Sequence, residues 1–279
     1  MPVTFDDLRR PPLDQAALAA ALCRPGSVWE EVVVLDAVPS TNAVVADRAR
    51  AGAAEGLVVV AEHQTAGRGR LDRGWVTPPG AALTMSVLLQ PEEVDTGRWP
   101  WLPILAGIAV SEAVQRVCDV ACELKWPNDV LVSERKLAGI LVERIELESS
   151  AAAVVGIGLN VSTNREELPG PAATSLALEG AATLDRSVIA REMLRSLGAL
   201  YRQWRAEHGD AALGLLGAYA RRCSTLGRHV RVELPTGRQV SGEATGVDAD
   251  GRLQVRTDRG TEALSAGDVV HLRVEGGVP

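Results

Sequence analysis

A strand-like apolar run leads directly into a loop rich in glycine and arginine. The run is Leu57-Val58-Val59-Val60-Ala61, and the loop is Gln64-Thr65-Ala66-Gly67-Arg68-Gly69-Arg70-Leu71-Asp72-Arg73-Gly74-Trp75. A run with this β-branched content is typical of a buried strand. Glycines let the backbone approach a ligand closely, and arginines present planar, permanently charged donors to phosphate or carboxylate. The junction therefore predicts a strand followed by an anion-binding loop.

The residues that frame this loop favour a ligand site, although a Gly-Arg repeat taken alone is more typical of a mobile, solvated basic loop. Gln64 ends the strand with an amide that can hydrogen-bond a ligand, and Trp75 closes the loop with an indole that can stack on a planar ring. No Gly-Lys-Ser/Thr follows, and the third glycine is misplaced for a dinucleotide fingerprint. The loop is therefore predicted to belong to neither of these nucleotide-binding classes.

Length and composition indicate a folded protein. The chain has 279 residues, of which 46% are hydrophobic and 23% charged, so it can bury a substantial core in one large domain or in a large and a small one. A net charge of -7 argues against broad nucleic-acid binding. No apolar run approaches about 18 residues, and the N-terminus lacks the pattern of an export signal. We therefore expect no membrane span and a cytoplasmic location.

Two further kinds of site are not expected. The four cysteines, at positions 23, 118, 122 and 223, lack a second ligand-like pair, which predicts reduced thiols in place of a zinc site. Residues 1–28 hold one short alanine-rich helix, too little for a helix-turn-helix DNA reader.

Three polar residues, Ser40-Thr41-Asn42, stand at the predicted start of a helix that stops near Gly52. One of them is expected to be the N-cap, which is sufficient to explain the local pattern. Three polar residues exceed what one cap needs, and hydroxyls and free amide N–H groups at a helix start can also bind a small polar ligand. Both roles are compatible.

A lysine opens an apolar strand in the segment Lys136-Leu137-Ala138-Gly139-Ile140-Leu141-Val142-Glu143. Before it, strand-like pieces flank Pro127, with Asn128 and Asp129 after the proline. Such a lysine is usually a solvated edge residue. If Lys136 points inward it requires an anionic partner, because an unpaired buried ammonium is costly.

The rest of the chain predicts two strands, three helices and a small β domain. Residues 82–89 and 151–160 suit strands, and the second ends in two glycines that make room for a flat ligand or another backbone. Apolar residues recur at helical spacing over roughly 99–118, from 185 to 204, and over 211–220. From about residue 226, short β runs alternate with hairpin signals, which predicts a barrel of about fifty residues.

Four of these motifs, in this order and at this spacing, resemble the biotin–protein ligase family. They are Gly67-Arg68-Gly69-Arg70 to Trp75, Lys125-Trp126-Pro127-Asn128-Asp129, Lys136 to Glu143, and Gly156-Ile157-Gly158-Leu159-Asn160. The resemblance covers residues 30–165 strongly and the C-terminal part more weakly. It implies an α+β fold: a catalytic domain like that of class II aminoacyl-tRNA synthetases, with a mixed sheet and helices, and a small C-terminal SH3-like β-barrel. The expected boundaries are 1–28 for a short N-terminal extension, 29–224 for the catalytic domain and 225–279 for the barrel.

The resemblance also implies an activity. The implied ligase uses ATP to activate biotin as biotinyl-5′-AMP, releasing pyrophosphate, and transfers biotin to a lysine of a biotin carboxyl carrier domain of an acyl-CoA carboxylase, releasing AMP. Mg²⁺ is the implied metal. Because the chain begins almost at the catalytic domain, we expect no DNA binding and no repressor activity. The sequence leaves the oligomeric state open between a monomer and a weak homodimer.

Roles for individual residues follow from the same resemblance. The implied catalytic residues are Lys136, Arg70 and Arg68. The implied biotin site comprises Ser40, Thr41, Asn42, Gln64, Arg68, Gly69, Arg70, Lys136, Gly139 and Gly158. The implied ATP or adenylate site comprises Arg70, Trp75, Asn128, Asp129 and Asn160, with Asp129 as the Mg²⁺ ligand. Because a mixed anhydride hydrolyses, we expect residues 67–75 to be mobile without ligand and to fold over the adenylate.

Three alternatives remain open at this stage. A lipoate–protein ligase shares the fold and the adenylate chemistry, but normally lacks this combination of motifs. A non-catalytic biotin-responsive regulator would bind biotin without releasing pyrophosphate from ATP. A purely structural interpretation, with the loop and lysine as solvated surface, suits each residue singly but not the ordered set.

Overall fold

A seven-stranded mixed sheet positions the glycine–arginine loop in the computed structural model, which describes residues 10–70, 73–148, 150–212 and 214–272. The strands are β1 (Glu31–Val38), β2 (Leu57–Gln64), β3 (Ala82–Leu89), β4 (Glu123–Lys125), β5 (Asp129–Val132), β6 (Arg135–Glu146) and β7 (Ala151–Asn160). Their spatial order is β1-β2-β3-β7-β6-β5-β4, with β1 and β2 parallel and the other neighbours antiparallel. The predicted bounds of β3 and β7 are confirmed.

Helices cover both faces of this sheet. They are α1 (Gln15–Leu22), α2 (Thr41–Arg50), α3 (Trp101–Ala113, continued by a π-helical turn, Val114–Cys118), α4 (Arg186–Ala206) and α5 (Leu215–Ala220). The α3 and α4 helices share the larger apolar core with one face, and α2 packs on the other face. Burial on both faces explains why the first five residues of β2, Leu57 to Ala61, are all apolar and why all eight residues of β3 are buried.

One helical boundary differs from the prediction. The second C-terminal helix was expected over residues 211–220, and α5 begins only at Leu215. The residue before it, Gly214, has a φ of 116°. This backbone conformation is left-handed, so it interrupts a right-handed helix at that point.

The N-terminal segment packs against the seven-stranded sheet. The backbone N–H of Leu13 donates to Glu62 Oε1 at 2.6 Å, and the guanidinium of Arg186 lies 2.6 Å from Glu62 Oε2. Arg186, which is 4% exposed, also donates to the carbonyl of Pro11 at 2.7 Å. This buried ion pair is satisfied by backbone groups around it, so it fixes residues 11–13 to the sheet beside the end of β2.

A second, antiparallel sheet forms the C-terminal part of the fold. Its strands are β8 (His229–Glu233), β9 (Gln239–Val247), β10 (Leu253–Thr257), β11 (Gly260–Leu264) and β12 (Asp268–His271), in the order β11-β10-β9-β8-β12. Two buried indoles join it to the first sheet: Trp101 Nε1 donates to the carbonyl of Ala249 at 2.8 Å, and Trp126 Nε1 donates to that of Gly251 at 3.1 Å. The predicted mixed sheet with helices and the β-rich C-terminal part are confirmed.

One helical stretch in the described part of the chain, Trp101–Cys118, is long and apolar enough to cross a membrane. Of this stretch, 72% is buried inside the fold, as expected for the core helix of a globular protein.

Candidate active site

A cleft of about 850 Å³, part of it open to solvent, lies where the start of α2, the end of β2, the glycine–arginine loop and strands β6 and β7 meet. The structure brings twelve of the predicted site residues to this cleft: Ser40, Thr41, Asn42, Gln64, Arg68, Gly69, Arg70, Trp75, Asn128, Lys136, Gly139 and Gly158.

One end of the cleft is a network of neutral polar groups, which we call the neutral end (Ser40, Thr41, Asn42, Gln64 and Ser86). Gln64 Oε1 accepts hydrogen bonds from the backbone N–H of Thr41 at 2.7 Å and from its hydroxyl at 3.0 Å. Ser86 Oγ lies 2.6 Å from Asn42 Oδ1 and 2.7 Å from Thr41 Oγ1. Because Ser86 is fully buried and Asn42 is 4% exposed, these bonds hold the network in one arrangement.

Of the three residues predicted as N-cap candidates, Ser40 takes that position, but its hydroxyl makes no capping hydrogen bond. The first free N–H of α2 is instead satisfied by Gln64, across the sheet. Ser86 was not predicted as a site residue. The only sequence signal for it was a small polar residue within an apolar strand, which does not reveal that the strand side chain faces the start of α2.

Glycines form the floor of the cleft. Gly139 on β6 pairs with Gly158 on β7, and the indole of Trp75 lies on Gly158 so closely that an added Cβ would stand 2.5 Å from Trp75 Cε2. At Gly156 an added Cβ would stand 2.1 Å from Asn42 Oδ1. A side chain at either of these two positions is therefore incompatible with the observed packing.

Trp75 extends its ring over this floor, with the indole Nε1 turned towards Gly158. Its Nε1 is buried and has no hydrogen-bond partner among the described residues. The ammonium of Lys136 lies 5.8 Å from the centre of the indole ring. A planar group next to Trp75 therefore gains both a stacking face and a nearby cation.

The other end of the cleft carries cations, and we call it the charged end (Arg68, Arg70, Arg73 and Lys136). Lys136 Nζ lies 2.7 Å from Asp129 Oδ1. The anionic partner that an inward-pointing Lys136 requires is therefore Asp129 of the adjoining strand. The Lys136 side chain is 37% exposed and lines the cleft, so it remains accessible to a ligand.

The three arginines of this end are each held by groups far away in the sequence. Arg68 pairs with Glu143 at 3.1 Å, and Arg73 pairs with Asp268 of the C-terminal sheet at 2.8 Å. Arg70 donates to Asn128 Oδ1 at 3.1 Å and to the carbonyl of Gly267 at 3.2 Å. The charged end is thus built jointly by the seven-stranded sheet and the C-terminal sheet.

Burial lowers the pKa values of two cations in this region, Arg70 and Lys125. It lowers the pKa of Arg70, and the carboxylates of Asp268 and Asp129 oppose that shift. Burial, reinforced by the Lys136 ammonium, also lowers the pKa of Lys125, while Asp129 opposes it. Burial thus disfavours the charged forms of Arg70 and Lys125, and the nearby carboxylates counteract this effect.

The loop itself folds as a short hairpin. The backbone N–H of Trp75 donates to the carbonyl of Gly67 at 2.8 Å, and that of Gly69 donates to Arg73 at 2.6 Å. Residues 71 and 72, at its tip, lie outside the described residues. The expectation that residues 67–75 are mobile without ligand stays a prediction.

Two predicted nucleotide residues lie outside this cleft. Asn160 is 4% exposed and donates from Nδ2 to the carbonyl of Thr174 at 2.9 Å, which holds the segment after β7. Asp129 lines a neighbouring cavity of about 1010 Å³ between β5 and β12, which shares Lys136 with the cleft. Lys125 and His271 also line this cavity and were not predicted as site residues.

The described residues contain no group of three or more His, Cys, Asp or Glu side chains that could hold a metal ion. The four cysteines are free, and burial raises the pKa of Cys118 to about 11 and that of Cys122 to about 12. These two thiols are therefore protonated at neutral pH.

Comparison with known proteins connects this cleft to a family. Residues 34–160 match the Biotin/lipoate A/B protein ligase family, and residues 225–272 match the Biotin protein ligase C terminal domain. The chain is 44% identical over 275 residues to the biotin--[acetyl-CoA-carboxylase] ligase of Mycobacterium tuberculosis, covering 97% of this chain and 100% of that protein. It is 31% identical over 245 residues to the bifunctional ligase/repressor BirA of Bacillus subtilis, covering 86% of this chain and 74% of that protein.

A solved structure gives the same relationship. The biotin protein ligase of Aquifex aeolicus in complex with biotin and ATP aligns with a TM-score of 0.73 and 28% identity, covering 88% of this chain and 100% of that chain. The chain described here therefore belongs to the biotin protein ligase family.

Proposed function

We propose that this protein is an ATP-dependent ligase that activates biotin as biotinyl-5′-AMP and transfers it to a lysine of a biotin carboxyl carrier domain. The observation that carries the proposal is the layout of one cleft. The cleft contains a buried neutral end, a glycine floor under Trp75 and a charged end. Biotin and ATP together need polar partners for an amide-like ring and cations beside the carboxylate and phosphate, and these parts of the cleft offer both.

In the first step, the biotin carboxylate oxygen attacks the α-phosphorus of ATP, and the bond to the bridging oxygen breaks to release pyrophosphate. Negative charge on the phosphoryl oxygens increases as the step proceeds, so fixed cations nearby lower the barrier. Arg68, Arg70 and Lys136 line the cleft on the side where that charge would develop. We assign them this stabilising role.

In the second step, the neutral amine of the carrier lysine attacks the carbonyl carbon of the mixed anhydride. An amide bond forms, the bond between the carbonyl carbon and the phosphate oxygen breaks, and AMP leaves. The 37% exposure of the Lys136 side chain leaves its ammonium accessible to the carboxylate-derived oxygen in both steps. A lysine from outside reaches the cleft through its open side.

Binding roles follow the two ends of the cleft. The neutral end supplies donors and acceptors that suit a ureido ring, while Gly139 and Gly158 leave room for the Trp75 indole that closes the cleft beside it. Trp75 supplies a stacking face for the adenine, and Arg70 and Asn128 are adjacent to it in the cleft. For Asn160 the proposed role is indirect, since its amide holds the backbone beside the site.

The residues present fit a Mg²⁺ ion that arrives with the nucleotide. Mg²⁺ is commonly held by one or two carboxylates together with substrate phosphates and water. Asp129 lines the cavity beside the cleft, and its Oδ1 is paired with Lys136. Asp129 would hold the ion, which when bound neutralises phosphate charge.

The proposal also covers the domain boundaries, the acceptor protein, the cellular location and the oligomeric state. The mixed sheet with its helices supports a catalytic domain of the class II aminoacyl-tRNA synthetase type at residues 29–224, preceded by the extension 1–28, and the five-stranded antiparallel sheet supports an SH3-like domain at 225–279. The proposed acceptor is the carrier domain of an acyl-CoA carboxylase. A cytoplasmic location and a monomeric or weakly dimeric state complete the proposal.

Biotin-dependent exchange of labelled pyrophosphate into ATP tests the activity directly. We expect exchange with biotin that free lipoate does not compete away, and labelling of a purified carrier domain when that domain is added. Exchange supported by lipoate in place of biotin would establish a lipoate ligase instead. Biotin binding without any exchange would identify a regulator and overturn the proposed function.

A further inference from the structure

Glu143 lies between the two ends of the cleft, and none of the proposed roles includes it. Its carboxylate is on β6, with Oε2 accepting a hydrogen bond from Asn42 Nδ2 at 2.6 Å and Oε1 accepting one from Arg68 Nη2 at 3.1 Å. The side chain is 30% exposed. One carboxylate therefore contacts both the neutral end and the glycine–arginine loop.

The contact with Asn42 fixes the orientation of a buried amide. Asn42 Oδ1 faces the hydroxyl of Ser86 at 2.6 Å, and its Nδ2 donates to Glu143 at 2.6 Å and to the carbonyl of Leu141 at 3.3 Å. Turning the amide over would place its NH₂ group against Ser86 and its oxygen against the carboxylate of Glu143, which repels it. Because Asn42 lines the cleft, this orientation decides which group the neutral end presents to a ligand.

The contact with Arg68 holds the guanidinium by one edge only. The described hydrogen bonds of Arg68 use Nη2 and leave Nε and Nη1 for another acceptor. A guanidinium has five donors in a fixed plane, so it can stay on Glu143 and still bind an anion. Glu143 therefore restrains Arg68 at the cleft without blocking it.

We propose that Glu143 is a positioning residue for the ligase reaction, orienting the Asn42 amide at the neutral end and holding Arg68 at the charged end with the same carboxylate. The inference rests on the proposed function. Glu143 acts through Asn42 and Arg68. It therefore links the binding of biotin to the position of the Arg68 guanidinium near the phosphate.

The two contacts differ in strength, and this difference makes the proposal testable. Arg68 is 50% exposed, and exposed ion pairs contribute little. Asn42 is 4% exposed, and its bond to a carboxylate is charge-assisted. Removing the acceptor altogether should therefore affect biotin binding most, while removing only the charge should affect mainly the step in which Arg68 acts.

Two variants separate these effects. In Glu143→Gln the amide oxygen still accepts from Asn42 but the charge that holds Arg68 is lost, whereas Glu143→Ala loses both. The matched control is Glu146→Gln on the same strand, which pairs with the exposed Arg144 and does not line the cleft. Biotin affinity is measured by calorimetry without ATP, and the kcat and KM of pyrophosphate exchange are measured on the same preparations.

We expect Glu143→Ala to weaken biotin binding by about 10-fold, the usual consequence of leaving a buried donor unsatisfied. Glu143→Gln should keep biotin affinity within about 3-fold and lower kcat for exchange by about 5-fold, the upper end of what an exposed ion pair such as that of Arg68 contributes. Glu146→Gln should match the unsubstituted protein in both measurements.

Several outcomes would overturn the proposal. Wild-type values for both Glu143 variants would show that neither contact matters. Equal losses of affinity and kcat in both variants, together with a large fall in melting temperature, would show a structural role only. Absence of exchange in the unsubstituted protein would instead reject the proposed function, and with it this inference, so the two failures are distinguishable.

Discussion

The two ends of the cleft hold their polar groups in opposite ways. At the neutral end, Thr41 and Asn42 are 3% and 4% exposed and bond to neutral partners at 2.6–3.3 Å, apart from the one bond to Glu143. At the charged end, the side chains of Arg68 and Arg73 are 50% and 63% exposed, and each is paired with a carboxylate. The first arrangement is buried and mutually satisfied, and the second is solvated and charge-balanced.

This difference assigns different tasks to the two ends. A buried, fully satisfied network keeps one geometry, so it selects a ligand by shape and hydrogen-bond pattern. Exposed ion pairs contribute little to stability, so a ligand phosphate can replace their carboxylates at small cost. We therefore expect changes at the charged end to alter rate and salt dependence, and changes at the neutral end or the glycine floor to alter affinity.

Removing the Lys136 ammonium should have the largest effect. In Lys136→Ala, kcat for pyrophosphate exchange should fall by about 100- to 1000-fold, since a fixed charge beside the developing negative charge is lost. The cation on the same strand that lies outside the cleft, Arg144, provides the matched control, and Arg144→Ala should leave exchange unchanged. Near-normal exchange by Lys136→Ala would contradict the assignment of rate to the charged end.

Filling the glycine floor should come next. In Gly158→Ala the new Cβ would stand 2.5 Å from Trp75 Cε2, so the indole must move. We expect biotin affinity, measured by calorimetry, to weaken by about 10-fold, the scale of modest overpacking. A strand glycine with ordinary space around it serves as the control: Gly246→Ala, whose Cβ would lie 3.6 Å from Gln254. Unchanged affinity in Gly158→Ala would show that the glycine floor does not take part in binding biotin.

Stability at acid pH reports on the region beside the charged end, because His271 lines the neighbouring cavity that shares Lys136 with the cleft. Burial, with the charges of Lys125 and Arg228, lowers the pKa of His271 from 6.5 to about 4. Below pH 6.5 the unfolded chain binds a proton that the folded chain refuses until about pH 4, so the free energy of unfolding falls as pH drops through this window. Because the ring is partly solvated, we expect a loss of about 1–2 kcal/mol.

Urea unfolding at pH 7 and pH 5 measures this contribution. In His271→Gln the amide can still hydrogen-bond the Thr225 hydroxyl, which lies 3.1 Å from His271 Nε2. The variant should therefore lose less stability than the unsubstituted protein between the two pH values. Equal losses in both proteins would show that His271 does not cause the pH dependence.

The smallest effect should follow removal of the exposed contact between the loop and the C-terminal sheet. Arg73→Ala breaks a pair with Asp268 and should slow exchange by about 2-fold at low salt, an effect that disappears near 1 M salt, where the Debye length is about 3 Å. The similarly exposed pair of Arg238 with Glu262 lies away from the cleft, so Arg238→Ala should show no such salt dependence. A loss that persists at high salt would point to a packing role for Arg73.

Local sequence patterns predicted the pieces of the site well. The period of apolar residues, the turn residues and the glycines correctly gave the bounds of β3 and β7, because these depend on neighbours in the chain. The residues predicted for the cleft came mainly from the four motifs that resemble the biotin–protein ligase family, supported by residue types, such as an amide at the end of a strand, that suit a ligand. Twelve such residues do meet in one cleft.

Pairings across the sheets were beyond prediction from one sequence. Glu143 contacts Arg68 and Asn42, which lie 75 and 101 residues away, only because β6 and β7 pair in one register and α2 packs across them. The role of Asn160 depends likewise on the loop that returns beside β7. A one-residue shift in a strand reverses which side chains face the cleft, and no local pattern reports that choice.

The sequence by itself thus determined which chemical groups the protein carries and which local elements hold them, because propensity and hydrophobic periodicity act over a few residues. Only the tertiary structure decided which carboxylate balances which cation and which hydroxyl satisfies which amide. Those choices arise from strand register, helix packing and the docking of the C-terminal sheet, which bring together residues separated by as many as 197 positions, as in the bond between Arg70 and Gly267.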